Sequence, residues 1–460
     1  MKNDTIVAIA TPPGISALGI VRMTGPQSCT ILKNFFSPPK GKFNPKKIKS
    51  HTVYYGNIYQ EKTIVDEVIV TVFKNPRSYT GEDMVEISCH GNCIILDLVM
   101  NMCLNMGARI AQPGEFSRRA FLNGKMDLSQ AEAVNSLIHA RSKNTAREAL
   151  RLVKGELKDK IKYIKDELIY FKSRIDAEIE WGDTDPANFF EYKNAEKKLT
   201  EIKNEIFELV KNSPDSKKIL DGFRVVICGR PNAGKSSLFN LLLNQSRSII
   251  NRRPGTTRDV IESQVLEKGC LIRYFDTAGI GLETSNSIDI AATSRSKKAI
   301  NRADIIVYVI DGTIGIGKKD YAIRNLIKDT PWIPVVNKVD NKLSLPEEDM
   351  DNFTNYSKAR LPVEVSSLEA KNIGNLRRQI INTVKSNDSA RLMITARQRR
   401  GLRETGNNLK KSLESLKSGR YLDMVSSDLG EAVESLGKID GSTVQKDILD
   451  RIFQEFCIGK

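Results

Sequence analysis

GRPNAGKS occupies residues 229–236, and its reading decides the fold. An apolar run, Arg224–Cys228, precedes it; Leu238, Phe239, Leu241 and Leu242 follow at helical spacing. Strand, glycine-rich turn and helix in that order match the pattern G-x-x-x-x-G-K-[ST]. The glycines let backbone N–H groups curl around phosphate, and the helix N-terminus adds positive dipole. Lys235 is expected to bridge β- and γ-phosphates and Ser236 to ligate Mg²⁺, with Asn232, Ala233, Gly234 and Ser237 completing the cradle.

Three companions lie downstream. Asp276-Thr277-Ala278-Gly279 ends the next apolar strand, so Asp276 stands where a water-mediated Mg²⁺ contact is needed and Gly279 can offer its N–H to the γ-phosphate. Asn337-Lys338-Val339-Asp340 also ends an apolar strand. Asp340 can accept from N1–H and the 2-amino group of guanine, donors that adenine lacks, which favours GTP over ATP. Gly255-Thr256-Thr257-Arg258-Asp259 supplies Thr257 as a second Mg²⁺ ligand on a γ-phosphate-sensing loop. Each motif alone is an ordinary strand-end turn; four in the right order and spacing are not. Ile280 stands where many small GTPases carry a water-orienting Gln, so catalysis must come from elsewhere. The Asn232 side-chain oxygen can bind a monovalent cation beside the phosphates, standing in for an arginine finger.

Around this centre the chain divides into regions. Residues 222 to about 382 alternate strand and helix as in a parallel α/β sheet, with strands at Arg224–Cys228, Leu271–Asp276, Ile305–Asp311, Trp332–Asn337 and Pro362–Ser366. Residues 1–120 carry short β-rich runs between Gly and Pro, and one helix at Ile94–Met106: an α+β domain. From Ser129, paired with Glu132 as a capping box, residues 121–221 read as helical. Their apolar seam runs Leu150, Val153, Leu157, Ile161, Ile164, Leu168, Phe171, Ile175, at spacings of 3, 4, 4, 3, 4, 3, 4. Asp183, Asp185 and Pro186 end that helix; another spans Tyr192–Lys211, and NSPDSKK is a linker. Residues 383–460 return to helix, with Leu402, Leu409, Leu413 and Leu416 on one face. The expected fold class is multidomain: α+β, then helical, with a mostly parallel Ras-like P-loop domain inserted, the two helical halves packing together.

At 460 residues and 40% hydrophobic, the chain can bury several cores. The net charge of +15 is spread without a block of six like charges. It permits a polyanionic partner such as RNA or DNA without requiring one. Seven cysteines (Cys29, Cys89, Cys93, Cys103, Cys228, Cys270, Cys457) lack a disulfide-framework spacing, and Cys89–Cys93 has no second pair nearby for structural zinc. No apolar run of signal-peptide type or of membrane-spanning length is present, so a reducing, cytoplasmic setting is expected.

The motifs together resemble the MnmE (TrmE) family of bacterial tRNA-modification GTPases. The resemblance rests on DTIVAIATPPG, TGEDMVEISCHG, PGEFSRRAFLNGKMDLSQAEAV, GRPNAGKSSLFN, GTTRD, DTAG, NKVD and the terminal FCIGK, and it covers essentially the whole chain. It implies an N-terminal folate-binding and dimerising domain, a helical domain and an inserted G domain. It also implies work with the FAD-containing partner MnmG. Together they would add an aminomethyl-type group at C5 of the wobble uridine of certain tRNAs, from a 5-formyl- or 5,10-methylene-tetrahydrofolate.

Carried over by position, the folate contacts fall on Arg22, Glu86, Lys125 and Lys460. The K⁺ site falls on Asn232, Asn251, Arg253 and Thr256, with Asn251 and Thr256 also among the GTP contacts and hydrolysis dependent on G domains meeting across a homodimer. The guanine-edge loop is Ser366-Ser367 where Ser-Ala is usual, a change expected to matter little because backbone N–H groups make the contact. The family's water-orienting Glu is best matched by Asp289, one carbon shorter and one residue further along. Arg252 and Arg253 stand where an acidic and an apolar residue are common, so K⁺ should bind more weakly unless both guanidinia face solvent. The resemblance also makes Cys457 a candidate nucleophile or acid/base, its thiolate favoured by Lys460, in a tail that folds back onto the folate site of its own chain or of its dimer mate. Two rivals are an RNA-binding ribosome-assembly GTPase, which gives no reason for the folate motifs or the Cys tail, and a scaffold of the same fold with hydrolysis impaired at Asp289.

Overall fold

The computed structural model describes residues 4–181, 192–213, 216–244, 249–253, 262–276, 298–327, 330–343, 345–355, 358–385, 392–418 and 422–459. The chain forms two compact units, each assembled from separate stretches of sequence. One takes residues 1–135, 152–204 and 400–460; the other takes 136–151 and 205–399.

The first unit is built on a seven-stranded sheet. Its strands are β1 (Ile6–Ile9), β2 (Ser16–Thr24), β3 (Phe36–Ser37), β4 (Thr52–Gln60), β5 (Thr63–Phe73), β6 (Met84–Gly91) and β7 (Arg109–Ile110), in the order β3-β4-β5-β6-β2-β1-β7. Alternation along β5 buries Val68, Val70 and Val72 on one face. The helix Cys93–Asn105 covers that face with Leu96, Val99, Met102 and Cys103, its start capped by Asn92 Oδ1 accepting from Ile94 N at 2.8 Å. Burial pushes the Cys89 and Cys103 thiols up to about 12, which keeps them inert.

In the same unit Glu156–Trp181 packs along Leu422–Asp440, so helices before and after the G-domain motifs do meet. Leu157, Ile161, Ile164, Leu168, Phe171 and Ile175 are all buried, each contributing roughly 1.5–3 kcal/mol. Lys165 Nζ donates to Asp440 Oδ2 at 2.9 Å, and Ser426 Oγ donates to Asp176.

Two readings of this region need correction. The seam does not reach back to Leu150, which is exposed. The helix Lys143–Val153 stops before a left-handed Gly155 (φ +97°), and Glu156–Trp181 starts a new helix with its own phase. The capping box is also two residues earlier than expected. Asp127 Oδ1 accepts from Gln130 N at 2.8 Å while Gln130 Oε1 accepts from Asp127 N at 3.1 Å, so the helix begins at Leu128.

The second unit carries β8 (Phe223–Gly229), β9 (Ile249–Arg253), β10 (Glu262–Glu267), β11 (Cys270–Asp276), β12 (Ile305–Asp311), β13 (Trp332–Asn337) and β14 (Val363–Glu364). Their order is β14-β13-β12-β8-β11-β10-β9, parallel from β14 to β11 and antiparallel at the β10 and β9 edge. The central strands are buried on both faces, which is why they read as continuous apolar runs. Helices Lys235–Asn244 and Ile373–Lys385 cover one face; Trp332, Tyr308 and Phe353 anchor the other. The last strand is shorter than Pro362–Ser366. Val365 N still bonds Val336 O at 2.8 Å, but Ser366 then pairs with Lys371 in a turn that serves the site.

Candidate nucleotide and folate sites

The phosphate loop leaves β8 and enters the helix Lys235–Asn244. Asn232 takes a left-handed conformation (φ +61°) at its crest. Ala233 and Lys235 are buried; Ser236 and Ser237 are exposed at the first turn. Lys235 Nζ donates to Arg230 O at 2.7 Å across the loop. A Cβ on Gly234 (φ +88°) would run into Asn337 Nδ2, so the cradle admits glycine alone at this position. Asp276 is buried at the end of β11, in register with Ile227 of the neighbouring β8.

Asn337 holds the loops together. Its Nδ2 donates to Ala233 O at 2.8 Å, and its Oδ1 accepts from Ser367 N at 3.0 Å. Ser366 Oγ donates to Asp340 Oδ1 at 2.5 Å, orienting the carboxylate assigned to guanine. Ser366 thus acts through its hydroxyl, and Ser367 through its backbone N–H. Ser367 Oγ is a buried atom without a hydrogen-bond partner among the described residues, an orphan beside a loop read as gripping a base edge. Lys338, left-handed at φ +66°, puts Nζ 2.6 Å from Asp311 Oδ2. Burial pushes the Asp311 carboxyl up, but Lys338 and Thr313 outweigh it and hold the group below the usual carboxylate range.

A second brace was not foreseen. Asp320 is fully buried and accepts from Arg230 Nε at 2.8 Å, Gly317 N at 2.8 Å and Tyr308 Oη at 3.0 Å. Arg230 lies inside the phosphate loop and also donates to Gly315 O. Burial, reinforced by the Asp320 carboxylate, pushes the Tyr308 hydroxyl well above its ordinary value and keeps it a donor. The only sequence signal was an Asp three residues into a helix behind Gly317. Asp320→Asn weakens a charge-assisted bond worth about 1.5–3 kcal/mol. The expected result is roughly tenfold weaker GDP binding in a fluorescence titration, with an unchanged affinity showing that the loop holds its shape alone.

In the first unit, Arg22 on β2 and Glu86 on β6 stand in register. Arg22 Nε donates to Glu86 Oε1 at 2.8 Å, and Arg22 Nη1 donates to Gly459 O at 2.7 Å. The C-terminal tail therefore lies on its own chain's Arg22–Glu86 pair. Helix Lys446–Gln454 brings it there, anchored by Leu449, Phe453 and Phe456 against Leu128 and Ala131. Cys457 is exposed, and its carbonyl accepts from Gly114 N at 3.4 Å. An ion pair of cation and carboxylate, with the backbone turn of the tail beside it, suits a ligand that has both a carboxylate tail and a hydrogen-bonding ring edge. Lys125 lies against the loop before β6, where its Nζ donates to Pro76 O at 3.1 Å.

Several expected contacts lie outside the described residues: Thr256, Thr257, Thr277, Ala278, Gly279, Asp289 and Lys460. Asn251 and Arg253 are on β9, paired with Gln264 and Glu262 of β10.

Comparison with known proteins identifies the family. Residues 5–125 match the family model described as GTP-binding protein TrmE N-terminus, and residues 128–457 match the MnmE helical domain. The chain is 38% identical over 460 residues to the tRNA modification GTPase MnmE of Thermotoga petrophila, covering 99% of this chain and 100% of that one. It is 37% identical to those of Thermoanaerobacter pseudethanolicus and Carboxydothermus hydrogenoformans, each aligned over the full length of both chains. With both terminal models matched and full-length identity well above 30%, the chain belongs to the MnmE family.

Proposed function

We propose that this protein is a cytoplasmic, homodimeric GTPase that modifies tRNA. Working with the FAD-containing MnmG, it adds an aminomethyl or carboxymethylaminomethyl group at C5 of the wobble uridine of certain tRNAs, using a tetrahydrofolate one-carbon unit. Full-length likeness to relatives named tRNA modification GTPase carries this reading. In this reading residues 222–382 are the G domain, inserted between helical parts 121–221 and 383–460, behind a folate-binding domain of residues 1–120.

Lys235 and the backbone of residues 232–237 grip the phosphates, while Asn337, Lys338, Asp340 and the Ser366–Ser367 loop select guanine. Thr277, Ala278 and Gly279 contact the γ-phosphate side, and Asp289 orients the attacking water. Mg²⁺, when bound, neutralises charge developing on the phosphates, and Ser236 and Thr257 would hold it. Asn232, Asn251, Arg253 and Thr256 would hold K⁺, which supplies the positive charge that other GTPases take from an arginine finger. Arg22, Glu86, Lys125 and Lys460 would hold the folate, with Cys457 beside it.

GTP turnover in KCl against NaCl tests the hydrolytic half. The rate is expected to be at least tenfold higher in KCl, and Asp289→Ala to lower it about 100-fold, the scale of a general-base contribution. Equal rates in both salts, unchanged by the substitution, would remove Asp289 and the K⁺ site from the mechanism.

A further inference from the structure

The helix Ala396–Lys417 carries seven cations (Arg397, Arg399, Arg400, Arg403, Lys410, Lys411, Lys417) against two acids, Glu404 and Glu414. Two other long helices of the same unit differ. Leu422–Asp440 has one Lys against five acids, and Glu156–Trp181 has six cations against seven acids. The excess is therefore greater on this helix than on the two helices compared with it, whose cations and acids are balanced or acidic.

Its cations fall into two groups. Arg399 is structural: its Nη1 and Nη2 each donate at 2.6 Å, to Val210 O and Ser213 O, closing the end of the helix Tyr192–Asn212. Arg400, Arg403, Asn407 and Lys410 follow at spacings of three, four and three; Arg400, Arg403 and Lys410 are exposed, with Asn407 between them. On the opposite side Leu402, Leu409 and Leu413 are buried in the core. Arg400 and Arg403 have no ion-pair partner among the described residues. Lys410 has only exposed Glu414 at 3.8 Å, a contact worth little in water.

We propose that this row docks the sugar-phosphate backbone of tRNA. From Arg400 to Lys410 it runs about 15 Å along the helix axis, long enough to face several consecutive phosphates. Arginine forks and an asparagine amide are the donors that phosphate and ribose oxygens accept. A lipid surface does not fit, because the apolar face of the helix is already spent on the core and leaves nothing to insert. The proposal rests on the tRNA-modification reading and gives that reading a contact surface.

The test uses the full-length protein with an unmodified tRNA transcript, and filter binding across about 50–200 mM salt. The triple variant Arg400→Ala, Arg403→Ala, Lys410→Ala keeps helix propensity, so folding is preserved. It should bind tRNA about 10–100-fold more weakly at low salt, with the slope of log K against log salt reduced by about 2–3, and with GTP turnover unchanged. Arg403→Lys should retain most of the affinity. Unchanged affinity and slope would overturn the proposal; so would unchanged affinity combined with lost modification, which would assign the row to an acidic protein partner. A failure of the underlying tRNA reading shows elsewhere, as unaltered wobble uridine in cells without the gene.

Discussion

Asn337→Ala lowers guanine-nucleotide affinity by two to three orders of magnitude. The side chain makes two buried bonds, to Ala233 O at 2.8 Å and from Ser367 N at 3.0 Å. Each contributes about 1 kcal/mol, and the orphaned carbonyl and amide add about 1–2 kcal/mol of desolvation cost. At 1.4 kcal/mol per tenfold, about 3–4 kcal/mol corresponds to 10²–10³ in affinity. This loss comes on top of any contact with the base, because Asn337 ties the phosphate loop to the Ser366–Ser367 loop. Titration calorimetry with GDP checks it; a change under threefold would mean that the two loops hold their positions independently.

The second large effect is expected at the C-terminus. Cys457→Ser should reduce tRNA modification more than 100-fold while leaving GTP turnover as it is, the scale on which loss of a nucleophile or proton-transfer group is felt. Gly459→Ala should act in the same direction for a different reason. Gly459 is left-handed (φ +88°), and a Cβ there would stand 2.8 Å from Ala10 Cα. The residue whose carbonyl accepts from Arg22 would have to move, and the tail with it. Both variants are read by nucleoside analysis of tRNA from complemented cells, beside a GTPase assay. Full modification with Cys457→Ser would return the tail to an anchoring role alone.

Much of this was legible in the sequence because the signals are local. A buried parallel strand, a glycine turn and a helix N-terminus lie within twenty residues, so backbone chemistry alone fixes the phosphate loop. What escaped depends on sequence-distant partners or on backbone phase. Arg230 and Asp320 are ninety residues apart, and neither stands out by itself. Gly155 interrupts an apolar periodicity that continues across it by coincidence of spacing, so Leu150 reads as core and is exposed. Asp127-Leu128-Ser129-Gln130 and Ser129-Gln130-Ala131-Glu132 both fit a capping box, and only geometry chooses the first. The tail was the most ambiguous case: a Cys, a Gly and a Lys after a helix are compatible with fraying. Packing of Phe453 and Phe456 and the bond from Arg22 to Gly459 O place it on a defined surface of its own chain.

The most direct test of the central claim is mass spectrometry of tRNA nucleosides from a strain lacking this gene. C5-aminomethyl-type modification of the wobble uridine should disappear and return when the gene is restored, but not when the Cys457→Ser form is supplied. Wobble uridines modified to the same extent with and without the gene would contradict the assignment.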